Sequence, residues 1–131
     1  MKVTIGPYAF EKNSSRNIDI SIDDYDVWDM HDTLALIILP MLKKIKNTKY
    51  FYPQIDIEDL PSESHNKNIQ EQWQNLIDEI IWAVEQRTLD DHGEDQFWDG
   101  VDYNYTLLEK HRMRIKNGFR LFGKYYLTLG D

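Results

Sequence analysis

Leu34 to Leu42 reads Leu-Ala-Leu-Ile-Ile-Leu-Pro-Met-Leu, a run without one polar side chain that only Pro40 interrupts. Such a stretch has to leave water, and only two destinations exist, a bilayer or a protein core. A spanning helix needs about 20 apolar residues, so the run predicts a core helix. The aspartates from Asp26 to Asp29 suit its N-terminus, because carboxylates cap orphan N–H groups and sit at the positive end of the helix dipole. The lysines up to Lys46 suit its C-terminus. One stripe of this helix reads Trp28, His31, Ala35, Ile38, Leu42, Ile45, and a second reads Leu34, Ile37, Met41. A helix this apolar is expected to be covered on most sides. Pro40 removes a backbone donor and predicts a kink.

Two further helical patterns follow. From about Asn68 to Arg87, Ile69, Trp73, Ile77, Ile80 and Val84 recur at helical spacing. From about Tyr103 to Leu127, Leu108, His111, Ile115, Phe119, Phe122 and Tyr126 make one stripe, and Leu107, Arg114, Gly118, Leu121 and Tyr125 a second. The N-terminus has a different period. Val3 and Ile5 alternate within Lys2 to Phe10, and Ile18, Ile20 and Ile22 alternate within Asn17 to Asp23, with Glu11 to Arg16 as the polar connection. This predicts an antiparallel hairpin. A two-stranded sheet is marginal in water, so it must pack on the helices or on a second subunit. The connection from Asn47 to Lys67 places Tyr50, Phe51 and Tyr52 at the edge of the core and reads as mobile from Ser62 to Lys67. The fold expected is mainly α, a single domain over 1–131, with a β-hairpin in 1–23 and a bundle of three main helices in 26–129. The exposed hairpin edge and spare aromatics make a homo-oligomer an expectation.

At 131 residues the chain has room for one core. It has no cysteine, which excludes disulfides, thiolate metal sites and cysteine nucleophiles. The net charge of −8 disfavours duplex DNA, whose binding is driven by phosphate neutralisation, and favours a protein with a basic surface. No segment suits a membrane span or a signal peptide.

Several polar groups interrupt the apolar stripes. His31 and His111 each lie on one, and imidazole there is either a metal ligand, a proton shuttle or a hydrogen-bonded core group. Helical bundles build metal sites from inward carboxylates and histidines, so His31, His111, Asp78, Glu79 and Glu85 are the candidate ligands for a divalent metal, the one cofactor considered. Asp78 and Glu85 lie two turns apart with Trp82 between them. Arg114 occupies a stripe where solvent is not expected, and a buried guanidinium needs a carboxylate or a phosphate. Asp78 or Glu85 is the structural answer, and a ligand phosphate the functional one. The third helix is basic in an acidic protein. Arg112, Lys116, Arg120 and Lys124 form an i, i+4 ridge, and Gly118 and Gly123 permit the close approach of another backbone or a ligand. The ridge either holds an anion or pairs with the acidic loop Leu89 to Asn104. Arg114, Arg120, Lys124, Tyr125, Gly118 and Trp82 are therefore the candidate ligand-binding residues. Catalytic residues cannot be assigned. Asp23-Asp24-Tyr25-Asp26 lacks the glycine and closing glutamate of a calcium loop.

Three segments together resemble a family of small tailed-bacteriophage proteins. They are Trp28 to Ala35 with Ile37 to Leu42, Leu76 to Ala83, and Arg114 to Gly118 with Leu121 to Tyr126. The resemblance covers the three helices and not the hairpin. It implies a phage product made in the host bacterial cytoplasm, and Trp28, His31, Asp78, Glu79, Trp82, Arg114, Gly118 and Lys124 would belong to the shared pattern. The leading expectation is a non-enzymatic accessory protein for counter-defence or host takeover, which binds and blocks a host bacterial protein or a small nucleotide signal. The alternatives are a metal-dependent helical hydrolase acting on a nucleotide or phosphoester, and a virion structural part.

Overall fold

The computed structural model describes residues 1–7 and 16–130. It is mainly α, a bundle of three main helices behind an N-terminal two-stranded antiparallel sheet. Strand β1 is Lys2–Ile5 and β2 is Ile18–Ser21. Val3 faces Ile20 and Ile5 faces Ile18, so the alternating aliphatics share one face as expected. The Tyr8 to Phe10 part of the expected first strand and the Glu11 to Ser15 part of the connection lie outside the described residues. The apolar face of the hairpin stands in solvent, with Val3, Ile5, Ile18, Ile20 and Ile22 all exposed. Its root is held by charge, because the N-terminal ammonium reaches Asp26 Oδ2 at 3.1 Å and Asp23 Oδ2 at 3.4 Å.

The first helical pattern divides at Asp29 into α1 (Asp24–Trp28) and α2 (Met30–Thr48). Asp26 does cap locally, its carboxylate accepting the Asp23 N–H at 2.8 Å. Helix α2 continues past Pro40. Helix α3 is Ile69–Thr88, opened by Asn68, whose Oδ1 accepts the Glu71 N–H. Helix α4 is Tyr105–Lys124, opened in the same way by Asn104, which accepts from Leu107. The last turn tightens into a 3-10 helix at Tyr126–Thr128.

Helix α3 is the centre of the molecule, lying against both α2 and α4. Trp73, Leu76, Ile77, Ile80, Ala83 and Val84 are sealed, and Ala35 and Leu42 of α2, Leu121 of α4 and Tyr125 just after it close over them. Tyr52 packs edge-on against Trp73 at 5.6 Å, whereas Tyr50 and Phe51 are exposed. The expectation that α2 is covered on most sides is corrected. Only Ala35 and Leu42 of its nineteen residues are buried, because a single helix, α3, supplies its cover.

The connection between α2 and α3 is also more ordered than its polar composition suggests. It carries 3-10 turns at Ile57–Asp59 and Ser62–Ser64. Ser64 is buried, its Oγ accepting from Asn75 Nδ2 at 2.8 Å and its carbonyl from Gln72 Nε2 at 3.2 Å. Lys49 ties the C-terminal tail to the end of α2, donating to the carbonyls of Thr128 and Gly130. No helix of the described residues is long and apolar enough to cross a membrane.

Between α3 and α4 the chain makes a turn through the left-handed region, with His92 at φ 53° and Gly93 at φ 76°. A Cβ on Gly93 would fall 2.1 Å from Gln86 Oε1 and 3.0 Å from the His111 ring. Gly93→Ala is therefore expected to cost at least about 1–2 kcal/mol from the backbone conformation alone, with the collision added. Chemical unfolding of the two proteins compares them directly. Equal stability would mean that the turn relaxes without cost.

Candidate functional site

The basic face of α4 meets the α2–α3 connection over Asp59. The side chain of Asp59 is only 1% exposed, although the residue sits in a short polar turn. Its Oδ1 accepts from Arg120 Nη2 at 2.9 Å, and its Oδ2 accepts from Tyr125 Oη and Lys124 Nζ, each at 2.6 Å. Lys124 also reaches Asp56 Oδ2 at 2.7 Å, and the Tyr125 hydroxyl accepts the Asp56 N–H at 3.0 Å. Burial pushes the Asp59 carboxyl up, but the hydrogen bonds from Lys124, Tyr125 and Arg120 outweigh it and hold the pKa at about 2. Hydrogen bonds to Asp56 and Asp59 raise the Lys124 ammonium. Burial, then the bond to Asp59, raises the Tyr125 hydroxyl.

Six residues before Arg120 on α4, Arg114 lies over the Trp82 ring, its guanidinium carbon 3.7 Å from the centroid. It donates to both oxygens of Glu79, from Nε at 2.7 Å and from Nη2 at 3.0 Å. That bidentate bond raises its pKa. The partner is Glu79 rather than the expected Asp78 or Glu85, and Arg114 is half exposed rather than buried. The rotation of α3 explains the exchange. Asp78 and Glu85 face α2, where they take Lys46 at 2.5 Å and Lys43 at 3.7 Å. Gly118 is the point of closest helix contact, since a Cβ there would meet Ala83 Cβ at 2.2 Å. Among the described residues nothing lies within 4 Å of the Gly123 Cβ position, so none of them approaches it closely. The acidic loop claims one member of the basic ridge, Arg112, which pairs with Glu94 at 2.6 Å. Arg120 and Lys124 go instead to Asp59 and Asp56.

The candidate metal ligands are dispersed. Glu79, Asp78 and Glu85 each face a different cation, as described. His111 is buried between Trp82 and Phe97, both edge-on at 5.3 Å, and its Nε2 donates to the His92 carbonyl at 2.8 Å. This is the satisfied core histidine. His31 is exposed, 3.7 Å from Asp32, which corrects its expected place on a core stripe. Among the described residues no group of three His, Asp or Glu lies close enough to share a metal ion.

A second cluster escaped sequence reasoning. Asp32 of α2 takes Arg87 Nε on Oδ1 at 2.7 Å and His92 Nε2 on Oδ2 at 3.2 Å, while Arg87 Nη1 stands 3.2 Å from His92 Nδ1. A guanidinium only donates, so His92 Nδ1 accepts and Nε2 carries the proton. Both ring nitrogens are thereby used in joining α2, α3 and the left-handed turn. No local pattern links Asp32 to a histidine sixty residues later.

Two clefts open beside the Asp59 and Arg114 networks. One, of about 370 Å³, is lined by Glu58, Asp59, Asn75, Glu79 and Arg120 among others. The other, of about 460 Å³, is lined by Glu63, Lys67, Asp78, Glu79, Trp82 and Arg114 among others. They share Pro61, Asn75 and Glu79, which makes one groove along α3. Within it Glu58, Asp59, Glu63, Asp78 and Glu79 are set against Lys67, Arg114 and Arg120, so the groove is acidic on balance. A phosphate entering it would have to displace carboxylates already hydrogen-bonded to Arg114 and Arg120. A cationic side chain can instead meet Glu58 and Glu63, which pair with no cation among the described residues, whereas Asp59, Asp78 and Glu79 are held by cations of the chain. Comparison with family models, with curated proteins and with solved structures finds no match to this chain.

Proposed function

We propose that the chain is a non-catalytic accessory protein, of the phage kind its resemblance implies, that binds and blocks a host protein by accepting a basic segment of that protein. The observation that carries this reading is the state of the candidate ligand-binding cations. Arg114, Arg120 and Lys124 are each bonded to a carboxylate of the chain, so they offer little to a nucleotide phosphate. The carboxylates lining the groove outnumber its cations, in a protein of net charge −8. Charge of this kind speeds encounter with a basic partner and sets its register.

Glu58 and Glu63 lie on the rim of the groove and are exposed, so reversing them leaves the core alone. The wild-type chain, used as bait in a bacterial lysate, is expected to retain a host protein and inhibit its activity. The double variant Glu58→Lys, Glu63→Lys is expected to lose both effects. Undiminished capture and inhibition by the variant would reject the groove as the contact. A nucleotide mass retained in native mass spectrometry, and lost with Arg120→Ala, would return the nucleotide version.

A further inference from the structure

Helix α2 carries two apolar stripes, and only one is used. Ala35 and Leu42 face α3, and Ile38 and Ile45 pack partly behind them. The other stripe runs Met30, Leu34, Ile37, Met41, a spacing of four, three and four residues. Met30 is 53% exposed, Leu34 38% and Met41 67%, with Ile37 partly buried. Alternating steps of four and three are the a/d seam by which one helix packs into another. Seen along the axis, these positions stay within a narrow strip for roughly 17 Å. Single exposed apolar residues are ordinary, whereas a contiguous apolar strip of this kind is what interaction surfaces carry.

We infer that this seam is the interface of a homodimer in which α2 packs antiparallel against α2 of a second copy. Three observations choose that occupant. An a/d seam is completed by another a/d seam, and around a two-fold axis Leu34 meets Ile37 and Met30 meets Met41 of the second copy, so the surface complements itself. The charges are polarised along the helix. Asp32, Lys43 and Lys46 turn to α3, and Asp29 at the start and Lys44 at the end are the charges left for a partner among the described residues, so antiparallel packing lays each lysine end beside the aspartate end of the other copy and opposes the two helix dipoles. Parallel packing would place lysines on lysines. Finally, two chains of net charge −8 repel, and Leu34 to Leu42, with no charge at all, is where they can approach. An interface this apolar has the character of a permanent one, formed with a partner that is always present.

Sedimentation equilibrium across about 1–100 µM, which spans ordinary dimer affinities, decides the matter. The wild-type chain is expected to sediment as a dimer. Met41→Lys is expected to weaken association at least about 100-fold, and because Met41 makes little contact within its own chain, the helical circular dichroism should not change. Adding Met30→Glu to Met41→Lys places opposite charges across the two-fold and is expected to restore the dimer. Met30→Glu with Met41→Glu is expected to stay monomeric. A monomeric wild-type chain at the highest concentration, or a dimer untouched by Met41→Lys, overturns the inference. Failure of the charge pair to restore association overturns the antiparallel register. None of these outcomes bears on the groove along α3, which lies on other helices.

Discussion

Replacing Asp59 by Ala is expected to lower the stability of the folded chain by about 1–3 kcal/mol, the usual cost of leaving a buried polar group without its hydrogen-bond partner. Three donors converge on this carboxylate, and alanine leaves them without their acceptor. Arg120 and Lys124 can turn to solvent, but the buried Tyr125 loses its acceptor and keeps only its bond from the Asp56 N–H. Since whole domains are stable by only about 5–15 kcal/mol, the loss should be plain in urea unfolding, with a lower midpoint and an unchanged slope. Acid titration carries the same signature. A carboxyl with a folded pKa of about 2 and an ordinary value of 3.8 binds its proton less readily in the native state. Its stabilisation is complete above the ordinary value and is lost as pH falls from near 4 through 2. The amount is about 2 kcal/mol. Asp59→Ala should flatten that acid limb. A variant as stable as wild type would show that the three donors find other acceptors easily.

Gly118→Ala is expected to destabilise although alanine is the better helix former. On an open helix the change would gain about 1 kcal/mol. Here the new methyl would lie 2.2 Å from Ala83 Cβ and 3.3 Å from the Glu79 carbonyl oxygen, against an ordinary carbon contact of about 4 Å. Helices α3 and α4 must separate or slide, and overpacking of this sort costs about 1–3 kcal/mol. Ala83→Gly in the same chain removes the obstructing methyl. It should recover most of the loss apart from its own helix penalty of about 1 kcal/mol. Thermal unfolding of the single and double variants tests the cycle. A single variant as stable as wild type would mean that the helix crossing is loose, and Gly118 would again be open to a ligand-binding role.

The segments that could be read without a structure are those governed by neighbours in the chain. Helices α3 and α4 begin within two residues of the expected places because Asn68 and Asn104 cap them from the adjacent position. The hairpin register follows from alternation, since a shift by one residue would split Val3, Ile5, Ile18 and Ile20 between two faces. The division of α1 from α2 at Asp29 was not legible, because the aspartates that can open a helix there occur on both sides of the break.

The sequence singled out several cations and aromatics of the two networks, but neither Asp59 nor the pairings. Trp82, Arg114, Arg120, Lys124 and Tyr125 are all in the two networks, but their acceptors were not foreseen. Asp59 lies in a stretch with no period to mark it, and Glu79 differs from Asp78 by one residue, a rotation of about 100° on a helix. That rotation decides whether an acid faces α2 or α4.

Periodicity and composition thus determined by themselves that this chain forms three long helices and a hairpin, which faces of them are apolar, and that no cysteine chemistry is available to it. These properties depend on contacts a few residues apart. Only the tertiary structure decided that α3 is central, that one stripe of α2 is left in solvent, that Gly118 is a contact between helices, and that Arg112, Arg114, Arg120 and Lys124 of α4 are spent on Asp56, Asp59, Glu79 and Glu94. Each of these depends on how one helix is rotated and placed against another, and that is settled by the packing of the whole core.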